Sequence, residues 1–133
     1  MNDCGERQRM NYQHKSIHGV RAHGKRVHHE LRAYLDARIR DGVINYWRTQ
    51  AGTEVDFVVG TVAIEVKGKK VVDKRDLKGL RAIAEEGAFD HRIVVSLEPM
   101  SRTQDGVEIL PYRDFIDRLW GDKLIDVSSV ALA

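Results

Sequence analysis

The chain has 133 residues, enough for one domain with a real core and too few for two ordinary ones. It is 42% apolar and 32% charged, its formal net charge is only +2, and no run approaches the roughly 18 apolar residues of a membrane span. The polar start MNDCGERQRMNYQHKS is not expected to be a signal peptide, and the single Cys4 excludes an internal disulfide or a cysteine-based zinc site, so a reducing cytoplasm is the expected compartment.

In chain order, residues 1–22 carry no apolar periodicity and are expected to be poorly ordered. Val27, Leu31, Tyr34, Leu35 and Ile39 then recur at helical spacing over about 25–40, with Gly42 as the stop. VINYWRT (43–49) reads as a strand, and Tyr46 and Trp47 are expected to pack in it. EVDFVVGTVAIEV (54–66) reads as two strands joined at Gly60-Thr61, where glycine at the first loop position suits a type II′ turn. Asp73, with Asp76 three residues on, predicts the start of a helix whose apolar face is Leu77, Leu80, Ile83 and Ala84, closed by Gly87. HRIVVSL (91–97) reads as a buried strand, EPMSRTQDG as a loop, VEILP (107–111) as a short strand and YRDFIDRLW as a last amphipathic helix with Trp120 in the core. Residues 127–133 are read as a tail.

The hairpin carries the chemistry. A two-residue turn fixes the register, placing Val59 opposite Val62, Phe57 opposite Ile64 and, further out, Asp56 opposite Glu65 and Glu54 opposite Lys67. Strict alternation then gives one apolar face of Val55, Phe57, Val59, Val62, Ile64 and Val66, and leaves Asp56, Glu65 and Lys67 on the other. Two carboxylates directly opposite each other repel, by up to about 1 kcal/mol, and a bound cation would remove the repulsion. Asp56 and Glu65 as carboxylate ligands, with the Val66 carbonyl as a third, suit a hard divalent ion such as Mg2+ or Mn2+. Lys67 on the same face would orient an attacking water or stabilise charge on a phosphate, which makes phosphodiester hydrolysis the matching reaction. The competing reading is an ion-pair cluster in which Lys67 neutralises Glu54 and Glu65 without metal. After the acids come Lys67, Lys69, Lys70, Lys74, Arg75, Lys78 and Arg81; Lys69, Lys70, Lys74 and Lys78 are the candidate phosphate contacts. GVRAHGKR (19–26) comes near a nucleotide-binding P-loop, but Arg26 stands where Ser or Thr belongs and no hydrophobic strand precedes it.

Taken together, ELRAYLDAR, YWRTQAGTEVDFVVG, AIEVKGKKVVDKRDLKGLRAIAEE, RIVVSLEP and DGVEILPYRDFIDRLW, in this order, are similar to the C-terminal domain of a group of prokaryotic AAA-type ATPases, a domain of unknown function. Through it the chain resembles the PD-(D/E)XK nuclease superfamily, over about residues 27–125. The resemblance implies an α/β (α+β) fold, a restriction-endonuclease-like mixed sheet flanked by helices with core order α-β-β-β-α-β, spanning residues 23–126. It implies Asp56, Glu65 and Lys67 as catalytic residues, Asp56, Glu65 and Val66 as metal ligands, and nucleic acid as partner, with DNA favoured over RNA. The glutamate that the superfamily carries on its first helix falls at Gly24, and Val55 stands where a proline is usual. A stand-alone relative without the ATPase module, pairing as a homodimer or with a separate ATPase, is the expected context. The rival expectation is a non-catalytic interaction module.

Overall fold

The structure is a computed structural model that describes residues 22–133 and the backbone of Tyr12–His14. The segment expected to be poorly ordered, 1–22, lies outside the described residues apart from Tyr12–His14 and Ala22.

Seven strands form one mixed sheet: β1 (Tyr12–His14), β2 (Asn45–Arg48), β3 (Glu54–Val59), β4 (Val62–Val66), β5 (His91–Ser96), β6 (Arg102–Gln104) and β7 (Val107–Pro111), in the order β1-β2-β3-β4-β5-β7-β6. The meander β1 to β4 is antiparallel, β4–β5 and β5–β7 are parallel, and β6 folds back antiparallel on β7. Helices α1 (Ala22–Arg38) and α3 (Tyr112–Trp120) cover one face; α2 (Lys78–Ile83), entered through a 3-10 turn at Lys74–Leu77, covers the other. This is the expected mixed α/β architecture. No described helix is long and apolar enough to cross a membrane.

Two cores result, one on each face of the sheet. The α1/α3 core takes Val27, Leu31, Leu35, Phe57, Ile64 and Phe115; the α2 core takes Trp47, Val58, Ala63, Leu77, Leu80 and Ile83. The hairpin register is as the turn predicts, with Phe57↔Ile64, Val58↔Ala63 and Val59↔Val62. Gly60 has φ 57° while Thr61 is not at positive φ, which is the type II′ pattern. Alternation fails at one place. Asn45 pairs with Val58 but Trp47 pairs with Val55, so β3 spends one residue more than β2 between these pairs. That bulge turns Val55 away from Phe57 and into the α2 core, correcting the expected apolar face. Glu54 then lies beside Arg48, at 3.8 Å, and not beside Lys67.

Three further expectations change. Residues 102–104, read as loop, form β6 because β7 offers them a free edge. Trp120 is 36% exposed; it stands edge-on to Tyr34 and donates its indole N–H to Glu30 (2.9 Å) from the rim of the core. The segment read as a tail is part of the domain. Leu124, Ile125 and Val130 are buried, Val43 N–H donates to Ala131 O, and Ala133 N–H donates to Asp41 O, both at 2.8 Å.

Helix α2 approaches β3 at Gly79, where a Cβ would collide with the Glu54 carbonyl oxygen and its carbon. Alanine is the better helix former by about 1 kcal/mol, but the backbone oxygen cannot swing aside as a side chain can. Gly79→Ala is therefore expected to destabilise the fold by roughly 1–3 kcal/mol, read as a lower urea midpoint at unchanged slope.

Candidate metal and phosphate site

The β3–β4 ladder stops at Phe57↔Ile64. Beyond it the two strands are joined by side chains: Asp56 N–H donates to Glu65 Oε1 (3.0 Å), and Val66 N–H donates to Asp56 Oδ2 (2.9 Å). Each carboxylate takes the backbone donor that would otherwise have sought a carbonyl across the strands. The bulge is what opens the gap, since an extra residue in β3 disrupts the regular pairing and re-aims Asp56. On its other edge β4 is held by β5, where Lys67 N–H donates to Val95 O (2.9 Å). Backbone groups alternate along a strand, so the Val66 N–H and C=O point back toward Asp56. Asp56 and Glu65 are thus held together at the end of β4, with the Val66 backbone beside them.

Glu65 is only 8% exposed. Burial, then the neighbouring Asp56 charge and a hydrogen bond between the two side chains, push its carboxyl well above the usual carboxylate range. The Lys67 ammonium, 3.6 Å from Glu65 Oε2, acts in the opposite direction and is outweighed. Lys67 is about one-third exposed, so its charge is shared with water. Burial and the close approach of Asp56 thus act together to disfavour the charged form of Glu65.

Gly24, the position at which the resemblance leads one to expect a helix glutamate, is buried in the first turns of α1. The next-door His23 abuts the end of β4: a Cβ on Gly68 would stand 2.7 Å from its Cδ2. His23, Arg26, Val66, Lys67, Gly68 and Tyr112 line part of a cavity of about 30 Å3 at this end of the sheet. The first helix therefore reaches the right end of β4 but brings imidazole and guanidinium there. Glu30 is turned away, bound by Trp120. Among the described residues no cluster of three or more His, Cys, Asp or Glu side chains could hold a metal. A third oxygen donor would have to come from the Val66 backbone.

The cations separate into two groups. Lys69 is committed, its ammonium 2.8 Å from Asp76 and 3.6 Å from Asp73, which ties the chain after β4 to the 3-10 turn. Asp73 caps that turn in a reciprocal box with Asp76, as its position predicts, and the Arg75 side chain, together with the Arg75 and Asp76 N–H groups, holds its carboxyl down to about 2. Lys70 is exposed, and Lys74 and Lys78 line a broad surface concavity of about 550 Å3 with Arg75, Arg81 and Glu85. Arg75 and Arg81 were in the sequence run but not among the candidate contacts; the helical spacing 74, 78, 81 is the signal that would have found Arg81. The sequence reading also missed Glu98 and Arg102. Glu98 is buried, accepts Val72 N–H (2.7 Å), and is gripped by Arg102 through both carboxylate oxygens (2.8 and 2.9 Å). These bonds, those of Arg102 first, keep its carboxyl below the usual range. Their i, i+4 spacing was visible, but outside a helix it carried no meaning before the loop was known.

A mixed sheet with helices on both faces, an acid pair with Glu65 buried at a splayed hairpin, and exposed cations on the 3-10 turn and α2 define an α/β domain with a polar cluster at one end of its sheet. A family model described as Domain of unknown function (DUF4143) matches residues 25–115, and the chain belongs to that family. No curated protein and no solved structure matches it.

The acid pair makes a pH prediction. The Glu65 carboxyl is raised in the fold, so its favourable contribution is full below the unfolded-state value and is lost as pH rises through the folded one. In EDTA the wild type should lose stability as pH rises above the ordinary carboxylate range and through the raised value of Glu65. Glu65→Gln can keep the acceptor for Asp56 N–H and donate to the Asp56 carboxylate without ionising. It should show a flatter profile and a higher melting midpoint at the alkaline end; a wild-type profile as flat as that of the variant would exclude a raised Glu65 carboxyl.

Proposed function

We propose that this domain is a PD-(D/E)XK nuclease-like module that binds a divalent cation and nucleic acid and hydrolyses phosphodiester bonds. The observation that carries the reading is the joining of Asp56 and Glu65 at the end of β4 through the Asp56 and Val66 N–H groups, with Lys67 3.6 Å from Glu65. The donor set fits Mg2+ or Mn2+: all three donors are hard oxygens, two are carboxyl groups, and a divalent ion would relieve the repulsion between Asp56 and the buried Glu65. Asp56, Glu65 and Val66 would hold the ion, which would supply Lewis acidity and neutralise charge gathering on a phosphate.

The chain's own groups have definable tasks. Asp56 and Glu65 are held in place by Val66 N–H and Asp56 N–H, so they are ordered without a ligand. Lys67 is near enough to the acids to donate to a phosphate oxygen or to an attacking water. Lys74 and Lys78, with Arg75 and Arg81, would contact phosphates further along the strand. Lys70 is free to join them, whereas Lys69 is engaged by Asp76.

One observation favours a second reading. Lys67 already lies within ion-pair distance of Glu65, as an inherited, idle cluster would require. The domain would then be a non-catalytic interaction module derived from the C-terminal domain of an AAA-type ATPase.

Melting and cleavage separate the two. With free Mg2+ or Mn2+ at ten times the dissociation constant the wild type should gain about 1.4 kcal/mol, and Asp56→Asn should lose most of that gain. Lys67→Ala should keep metal binding yet lose DNA cleavage. Duplex affinity should fall steeply with salt, with Lys74→Ala/Lys78→Ala lowering the log-log slope by about 0.9 per lost contact. A wild type that ignores Mg2+, Mn2+ and Ca2+ alike would leave the interaction module as the standing interpretation.

A further inference from the structure

Five large apolar side chains are notably exposed among the described residues: Val71, Leu97, Met100, Trp120 and Leu132. Two have local explanations. Trp120 lies against Tyr34, and Leu132 lies in the bridge to Gly42. The other three stand on two neighbouring loops, one leaving β4 and the other leaving β5. Val71 is 73% and Met100 75% exposed, values a polar residue could fill at no cost to the fold.

These loops are braced. Leu97 N–H donates to Lys69 O (2.9 Å), Glu98 takes Val72 N–H, Arg102 donates to Val72 O (2.8 Å), and Glu98 N–H donates to Ser96 Oγ (3.1 Å). A buried carboxylate and an arginine thus hold the two loops side by side and present apolar side chains to solvent. Lys67, Gly68 and Leu97 line the same small cavity, so the loop pair begins at the acid site. The stretch from 67 to 74, KGKKVVDK, has four lysines; Lys67 lies by Glu65 and Lys69 is engaged by Asp76, which leaves Lys70 and Lys74 on either side of Val71, while Asp73 is consumed as the cap of the 3-10 turn. The surface therefore offers cations and apolar contact together.

We propose that the paired loops bind unpaired nucleotides, so that single-stranded or frayed nucleic acid is what enters the Asp56–Glu65 site. The inference rests on the phosphodiester reading of that site. A duplex presents phosphates outward and stacks its bases inward, so it can satisfy the lysines but not Val71 and Met100. An unpaired strand presents both, with phosphates for the lysines and base faces and sugars for the apolar side chains. Charge excludes a neutral apolar partner as the better fit, because it would leave the lysines unanswered.

The test is equilibrium binding in EDTA and in Ca2+, using one labelled sequence as a single strand, as a duplex with splayed ends and as a blunt duplex. The single strand and the splayed duplex should bind more tightly than the blunt duplex. Val71→Ser/Met100→Ser should weaken single-strand binding by roughly tenfold and leave both blunt-duplex binding and the Mg2+-induced rise in melting midpoint unchanged. Lys74→Ala/Lys78→Ala should weaken all three substrates alike. Equal affinity for the three substrates, or an unaltered preference in Val71→Ser/Met100→Ser, overturns the proposal. So does binding only to vesicles containing phosphatidylserine, since the apolar–basic tip would then be a membrane contact. Because the binding arms need no turnover, loss of the metal response with the single-strand preference intact would reject hydrolysis and leave the binding surface standing.

Discussion

At the open end of the β3–β4 hairpin, Asp56 N–H donates to Glu65 and Val66 N–H donates to Asp56. This exchange of side chain for ladder is the constraint on which the rest of the polar site depends. It satisfies two backbone donors that the bulge would otherwise strand, and buried donors left unmade cost about 1–3 kcal/mol each. It also forces two acids together at a position where one is almost wholly buried. Two like charges cannot be held there in low dielectric without a neutralising partner. The raised carboxyl of Glu65, which Lys67 at 3.6 Å offsets only in part, is thus a result of how the backbone is satisfied.

The surroundings are organised around the same end of the sheet. β4 and β5 run parallel and finish together, so the loops that leave them are neighbours and can be tied by Glu98 and Arg102. Lys69 reaches from the first of these loops to Asp76 and sets the start of the turn that leads into α2. Gly79 then brings α2 against the backbone of β3 at Glu54, two residues before Asp56. A chain of short contacts therefore couples the acid pair to the helix whose outer surface carries Lys74, Lys78 and Arg81. On the opposite face, Val27, Leu31 and Phe57 seat α1 so that His23 meets Gly68 at the end of β4.

That α1 brings His23 and buried Gly24 to this place, and no carboxylate, leaves the acid set at Asp56 and Glu65 among the described residues. A site with fewer charged ligands holds a divalent ion less tightly, because affinity follows ligand charge and rigidity. The exchange that fixes both carboxyl groups acts in the other direction. Rigidity here is supplied by hydrogen bonds to the main chain, which are independent of any bound ion.

What the sequence by itself determined was local. Gly60-Thr61 set the hairpin turn and register, and so the approach of Asp56 to Glu65; Asp73 and Asp76 set the capped turn; the 3.6-residue spacing of Val27, Leu31 and Leu35 set the buried stripe of α1. Each of these depends on residues a few positions apart, whose geometry the backbone fixes. Tertiary structure decided the rest. The bulge that sends Val55 into the α2 core exists only because β2 pairs with β3 out of step. The commitment of Lys69 to Asp76, the grip of Arg102 on Glu98 and the seating of Val130 in the α1/α3 core depend on loops that meet only after the sheet has formed. The burial that shifts Glu65 is of the same kind, for a carboxylate's cost is set by everything packed around it, and no stretch of sequence contains its own surroundings.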